Sequence, residues 1–221
     1  MVFRVRDLLV RQRTQAINAL RGHLSEYGVI APNGTYHVSR LLVEMECRHG
    51  SLPTAAIEMC RLLFQHVAAL DEQIAGLDRQ IRQRARQEST VRRLMGIPGI
   101  GPICATALEA LAPPPETFLK GRDFAAWLGL VPRQHSSGGK ARLGRVSKMR
   151  QRDLRRLLII GAMSVVRWAA RRGAPAGSWL ARMLARKPRM LVAIALANRM
   201  ARVAWALLAK GEDYRVPAAA A

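Results

Sequence analysis

Two adjacent serines, Ser136 and Ser137, lie where the residue types and spacing of this sequence suggest chemistry most directly. A serine hydroxyl is a poor nucleophile at its ordinary pKa, and it needs a base, a metal or strong charge neutralisation nearby. His135 precedes the pair, a glycine pair follows it, and five cations stand close by in the sequence: Arg133, Lys140, Arg142, Arg145 and Lys148. A phosphodiester held in such a loop would have its developing negative charge met by cations and backbone N–H groups. The loop 131–149 is therefore a candidate site of phosphoryl transfer.

The same residue types also suit a loop that only grips a nucleic-acid backbone, because contacts that position phosphates outnumber catalytic ones. His135 is a weak candidate for a general base on spacing alone, since neighbours in sequence are often out of reach of each other's side chains. Residue types and spacing therefore leave both interpretations of the loop open.

The charge of the chain points to a polyanionic partner. Thirty-six Lys and Arg stand against 15 Asp and Glu among 221 residues, so the net charge is +21 and the isoelectric point is about 11.6. The excess is localised, because residues 124–211 hold 19 basic residues and a single acid, Asp153. Clustered positive charge is the footprint of a nucleic-acid-binding surface. We therefore expect the C-terminal half to bind nucleic acid.

Cysteine content and hydropathy favour a soluble protein of the cytoplasm. Three scattered cysteines without a C-x-x-C pair predict neither a disulfide framework nor a zinc site. Charged residues within 1–7 argue against a signal peptide. Residues 190–209 are apolar enough to suggest a membrane span, but Asn198, Arg199 and Arg202 near the middle would be costly in lipid. We expect a buried helix there, and no membrane partner.

The apolar residues of the N-terminal part recur at helical spacing. Residues 3–27 predict one basic helix, 37–49 a short one, and a third helix is expected to begin near Pro53. From there the apolar positions alternate steps of four and three, at Leu63, Val67, Leu70, Ile74, Leu77 and Ile81. Such an a/d seam predicts a coiled-coil arm over 52–90, formed as a hairpin or as a dimer zipper. Because the run is short, packing of one helix on its own domain is the alternative.

Glycines around Pro98 predict a tight hairpin between two helices, within residues 94–112. If the second helix starts near Pro102, its free N–H groups face outward. With Gly99 and Gly101 they would hold a nucleic-acid phosphate, as in a helix-hairpin-helix. An ordinary interhelical turn is the alternative, since Gly and Pro punctuate many loops.

The C-terminal third is also expected to be helical. Residues 154–172 and 179–210 carry apolar positions among arginines at helical spacing, with a Gly- and Pro-rich break between them. Trp168, Trp179 and Trp205 are expected in the core, since no aromatic cluster marks a stacking platform. With no long alternating strand pattern, the expected fold is mainly α: a coiled-coil arm followed by a helical domain with a helix-hairpin-helix.

A longer motif around the serines carries a family resemblance. It reads Phe124-x-x-Trp127-Leu128-Gly129-Leu130-x-Pro132-Arg133-x-His135-x-Ser137-Gly138-Gly139-Lys140-x-Arg142-x-Gly144-Arg145-x-Ser147-Lys148, then Leu154-Arg155-Arg156-Leu157-Leu158. This pattern resembles the C-terminal domain of the DEDD-type insertion-sequence transposases, serine-dependent bacterial recombinases that a bridge RNA guides. The order of the arm and the glycine hairpin is similar too, so the resemblance spans essentially the whole chain.

The resemblance implies roles for particular residues. In that family the serine before the glycine pair becomes linked to DNA, which falls on Ser137, with Ser136 as the weaker candidate. An N-terminal RuvC-like domain supplies four carboxylates that hold Mg²⁺ at the same phosphate. We expect this chain to start just after that domain, so Mg²⁺ is expected only with it, and neither a metal site nor another cofactor in this chain. The expected nucleic-acid contacts are Gly99, Gly101, Arg133, Lys140, Arg142, Arg145 and Lys148.

The predicted organisation is a basic helix and linker at 1–51, the coiled-coil arm at 52–90 and the transposase domain at 91–215. The predicted function is that of a truncated transposase that binds DNA and a guide RNA, forms a homo-oligomer, and exchanges strands only with the metal-binding domain. The alternative is a non-catalytic module that binds nucleic acid and oligomerises, as a remnant or a regulator of the intact transposase. Arg150 stands where the family usually has a glycine, which affects the turn before the helix at 154.

Overall fold

The fold is mainly α, as predicted, and a computed structural model describes residues 1–48, 52–135, 143–149 and 151–215. These residues divide into two compact units, Met1–Gln80 and Ile81–Ala221. The helices are α1 Val2–Glu26, α2 Val38–Cys47, α3 Thr54–Gln87, α4 Ser89–Met95, α5 Pro102–Leu111, α6 Gly121–Trp127, α7 Arg152–Arg172, α8 Trp179–Arg186 and α9 Arg189–Lys210. Two short strands, β1 Pro132–Gln134 and β2 Leu143–Val146, pair with each other.

In the first unit, α1 lies antiparallel to α3. Arg6 forms an ion pair with Asp78, and Arg13 forms one with Asp71, so seven residues forward along α1 correspond to seven residues back along α3. The apolar residues of α1, α2 and the start of α3 close one core cluster, which includes Ile17, Leu20, Leu24, Leu41, Met45, Ile57 and Val67. The unit is thus a helical hairpin with α2 packed near its closed end.

Four of the six heptad positions of α3 are already buried in the single chain, and the other two, Leu63 and Leu77, are half-buried. Val67, Leu70 and Ile74 are each 5% exposed or less. A dimer through the same seam would have to displace the residues that cover it. The structure therefore favours packing of this helix within its own unit over the zipper, while the coiled-coil arm itself stays a prediction.

The second unit is built around α9, which packs against α6 and α7. Its buried face carries alanines three or four residues apart, Ala193, Ala197, Ala201 and Ala204, which let neighbouring helices approach closely. By length and composition alone, α9 is the one helix among the described residues that could cross a membrane. The expectation of a buried helix at this place in the sequence is consistent with its central position.

Two local expectations in this unit are wrong. The helix expected over 179–210 is broken, because Pro188 has no N–H and holds Lys187 in an extended conformation, with φ −134° and ψ 148°. Trp168, which was expected in the core, is 57% exposed. It lies two residues from the buried Val166, and this spacing places it on the opposite side of α7.

Candidate nucleic-acid interface around the serine hairpin

The two strands hold the ends of the serine loop side by side. β1 and β2 are antiparallel, with Pro132 opposite Val146 and Gln134 opposite Leu143, and the register is irregular between these pairs. We call residues 132–146 the serine hairpin. Sequence reasoning missed the strands, because segments of three and four residues are too short to show an alternating pattern. Ser136, Ser137, Lys140 and Arg142, which carry part of the predicted site, lie outside the described residues.

Residues 128–131 and 147–149, which flank the two strands, form the base of the serine hairpin. The four successive backbone carbonyls of residues 128–131 each accept a hydrogen bond. Two donors are backbone N–H groups just after β2, and two are side chains from α7 and α9. The four pairs are Arg155 Nη1 to Leu128 O at 3.0 Å, Lys148 N to Gly129 O at 3.3 Å, Asn198 Nδ2 to Leu130 O at 3.1 Å, and Ser147 N to Val131 O at 3.1 Å. The hairpin is therefore fixed to both central helices of its unit.

Arg155 links the two segments of this base, the one before β1 and the one after β2. Besides Leu128 O, its Nη1 donates to Met149 O at 2.9 Å. Burial, and to a smaller extent the charge of Arg152, lowers the pKa of Arg155. Gly129 makes this approach possible, because a Cβ at Gly129 would lie 2.5 Å from Met149 O, and its φ of +69° suits glycine. A larger residue at this position would push the two segments apart.

Lys148 adopts a backbone conformation that is unusual for a residue with a side chain. Its φ is +54°, the only positive φ of a non-glycine residue in the described part of the chain. Such a conformation costs about 1–2 kcal/mol and persists where surrounding contacts impose it. The hydrogen bond from its N–H to Gly129 O is one such contact. The strain lies next to the serine hairpin, two residues after β2, and the Lys148 residue is exposed there.

The described cations of the predicted site do come together on the serine hairpin and its base. Arg133, Arg145 and Lys148 are all exposed, and Arg133 Nη2 is 3.4 Å from Ser147 O. None of them is committed to a carboxylate in the ion pairs of the described residues. Exposed guanidinium and ammonium groups in this arrangement are suited to phosphate contacts.

His135 lies against the opposite strand. A Cβ at Gly144 would be 2.7 Å from His135 Cδ2 and 2.8 Å from its Nε2, so glycine at this position leaves room for the imidazole. The imidazole ring of His135 is exposed, and His135 lies two positions before Ser137 in the sequence. The cross-strand contact gives His135 a defined place at the entrance to the loop, which sequence spacing alone could not establish.

The predicted glycine hairpin lies between α4 and α5, which contact each other. Gly99 has a φ of +91°, and a Cβ there would lie 2.8 Å from Gly161 O of α7, so Gly99 packs against that helix. A Cβ at Gly161 would lie 2.0 Å from Gly99 O. Gly101, by contrast, is exposed at the start of α5, with open space around its Cβ position. Of the two predicted phosphate contacts, Gly101 is thus the more accessible.

Metal-binding side chains do not gather in the part of the chain that the structure describes. No group of three or more His, Cys, Asp or Glu there could hold a metal ion. Several acids are instead paired with arginines, such as Asp71, Asp78 and Glu109. The described residues therefore do not fit a Mg²⁺ site, and we derive no step through a metal.

Comparisons with known proteins give the family of the chain. Residues 91–175 match the sequence model of the family described as "Transposase IS116/IS110/IS902 family". The chain is 45% identical over 214 residues to the "Probable family 20 transposase" of Pseudomonas aeruginosa, covering 96% of this chain and 63% of the relative. It is 37% identical to the transposase for insertion sequence element IS1328 of Yersinia enterocolitica, covering 96% and 63%. It is 33% identical to the transposase for IS1111A of Coxiella burnetii, covering 97% and 59%.

The chain thus spans about three-fifths of the length of these curated relatives, and nearly all of it aligns with them. The matched domain contains the glycine hairpin, the serine hairpin and α7. The family predicted from the serine motif is therefore confirmed in its general form: residues 91–175 match the IS116/IS110/IS902 family of insertion-sequence transposases, and nearly all of the chain aligns with transposases.

Proposed function

We propose that this chain acts in the transposition of an insertion sequence, with the Ser137 hydroxyl as the nucleophile that cuts and rejoins DNA. The observation that carries the proposal is the serine hairpin, whose base is fixed by four hydrogen bonds and which together with that base carries three exposed cations. A nucleophile needs a fixed position relative to the reacting phosphate, and the two paired strands hold the ends of the loop that contains Ser137. The transposase family whose sequence model matches residues 91–175 supports the same reaction class.

The proposed step exchanges one phosphoester bond for another. Ser137 Oγ bonds to the phosphorus of a DNA phosphodiester, its proton passes to a base, and the bond from phosphorus to one deoxyribose oxygen breaks. That oxygen takes up a proton and becomes a free hydroxyl end. Attack by a hydroxyl end of another strand on the serine phosphodiester then releases Ser137 and joins the DNA. Arg133, Arg145 and Lys148 would stabilise the charge that develops on the phosphate.

The remaining parts of the proposal come from the family resemblance. Carboxylates of an RuvC-like domain would hold Mg²⁺, which lowers the barrier to such transfers when it is bound. A guide RNA would select the DNA target, because phosphate contacts carry no sequence information. We also propose that the protein works in the cytoplasm, as a homo-oligomer.

The experiment that tests the proposal looks for a covalent protein–DNA adduct. The full chain is incubated with DNA from the element's ends, guide RNA, Mg²⁺ and a separately supplied RuvC-like domain, and the products are resolved under denaturing conditions. We expect an adduct with the parent chain and with Ser136→Ala, and none with Ser137→Ala. An equal adduct with Ser137→Ala refutes the nucleophile. DNA binding without any adduct from the parent favours the non-catalytic alternative.

A further inference from the structure

A basic cleft extends along α9 from the serine hairpin. It consists of two adjoining cavities of about 420 and 800 Å³, which share Arg122, Asn198 and Arg202 in their walls. The smaller cavity reaches β1 at Pro132 and Gln134, and the larger one extends to α8. We call the two together the α9 cleft. One end of it therefore opens beside the strand that leads to Ser137.

The lining of the α9 cleft combines a basic rim with an apolar floor. Four cations line the larger cavity, Lys120, Arg122, Arg199 and Arg202, and all four are exposed. Two tryptophans and small aliphatic residues of α9 form most of the remaining wall, with Gly121 and Asn198. The described lining residues of both cavities include no carboxylate that would neutralise the cations.

Both tryptophans of the α9 cleft are held in place. Trp205 donates its Nε1–H to Pro115 O at 3.0 Å, and it packs beside the backbone of Gly121. The guanidinium of Arg199 lies over the Trp179 ring, 5.4 Å from its centroid. This cation–π contact orders the Arg199 head group while leaving the residue exposed. The cleft therefore offers aromatic surface together with an ordered cation, Arg199.

We propose that the α9 cleft binds an unpaired stretch of polynucleotide, with phosphates on Arg122 and Arg202 and a base against Trp179. A duplex hides its bases and would use only the cations, whereas a single strand can use the apolar floor as well. The volume of the larger cavity is in the range that accommodates small organic groups such as a nucleotide. This inference deepens the proposed function, since a strand lying in the cleft would lead to the serine hairpin.

The test measures non-covalent binding of short fluorescein-labelled oligo(dT), oligo(rU) and duplex DNA to the full chain, without Mg²⁺ and at physiological salt. We expect Arg202→Gln and Trp179→Ala each to weaken single-strand binding about tenfold, as loss of a charged hydrogen bond or a stacked base does. Trp179→Phe keeps an aromatic ring and is expected to bind within about threefold of the parent. Tighter binding of oligo(dT) identifies the occupant as DNA, and tighter binding of oligo(rU) identifies it as RNA.

The matched control is Arg167→Gln, which removes one exposed arginine from α7, outside the cleft lining. The proposal is overturned if Arg167→Gln and Arg202→Gln weaken binding equally, or if the cleft variants weaken duplex binding as much as single-strand binding. Far-UV circular dichroism confirms that each variant is folded. Because no covalent step is measured, failure of the cleft leaves the Ser137 adduct to be judged separately, and absence of that adduct leaves the cleft result intact.

Discussion

Replacement of Gly161 by alanine tests how the glycine hairpin is held in place. Gly161 lies inside α7, where alanine is the better helix former by about 1 kcal/mol. Its added Cβ, however, would stand 2.0 Å from Gly99 O. Non-bonded carbon and oxygen atoms need about 3 Å or more, so the hairpin or the helix must move by about 1 Å in a close-packed interior.

The magnitude follows from these two opposing effects. Overpacking of a core costs about 1–3 kcal/mol, and a shift forced by rigid backbone lies at the upper end of that range. After subtraction of the gain in helix propensity, Gly161→Ala is expected to destabilise the second unit by about 2 kcal/mol. For a unit of this size, that corresponds to a fall in the melting temperature of roughly 4–8 °C.

Tryptophan fluorescence is a suitable assay, because all four tryptophans lie in the second unit. Gly22→Ala is the matched control, since Gly22 is also inside a helix but has open space around its Cβ position. Followed by circular dichroism, Gly22→Ala should raise the stability of the first unit by up to about 1 kcal/mol. A Gly161→Ala protein as stable as the parent would refute the close contact between the glycine hairpin and α7.

Two further substitutions and one labelling experiment test other parts of the structure. Arg155→Met leaves Leu128 O and Met149 O without their shared donor, and should lower the free energy of unfolding by about 2–3 kcal/mol in urea titrations. Leu70→Asp buries a charge in the first unit, so calorimetry should show loss of that unit's transition; an unchanged transition with a dissociated oligomer would instead support the zipper. Burial raises the pKa of Cys104 to about 12, so iodoacetamide at about pH 8 should label the exposed Cys47 in the native protein, and Cys104 only after unfolding.

Most helices follow from local sequence, and the deviations have local causes. Apolar spacing predicted a helix over 3–27, and the observed α1 is Val2–Glu26. The break before α9 was not predicted, although Pro188, which interrupts an otherwise helical pattern, is a local signal that could have indicated it. The short strands of the serine hairpin gave no comparable signal, since their pairing depends on contacts across the loop.

The positions that hold the candidate site could not be inferred from spacing. Arg155 and Leu128 are 27 residues apart, and Asn198 and Leu130 are 68 residues apart, so these hydrogen bonds exist only through tertiary folding. The role of Gly161 is similar, because Gly22 and Gly161 both lie within helices, but only the structure shows that Gly161 has a close backbone neighbour. The sequence therefore predicts which residue reacts, whereas the structure shows which distant residues support the ends of its loop.

We propose that Ser137 forms the bond to DNA, and mass spectrometry of the adduct can identify the serine that carries the DNA. Trypsin cuts after Arg133 and Lys140, so both serines lie in one peptide, Gln134–Lys140. After nuclease trimming, fragmentation of that peptide shows which serine carries the nucleotide. We expect the nucleotide on Ser137, and a nucleotide on Ser136 or on a different peptide would refute this assignment.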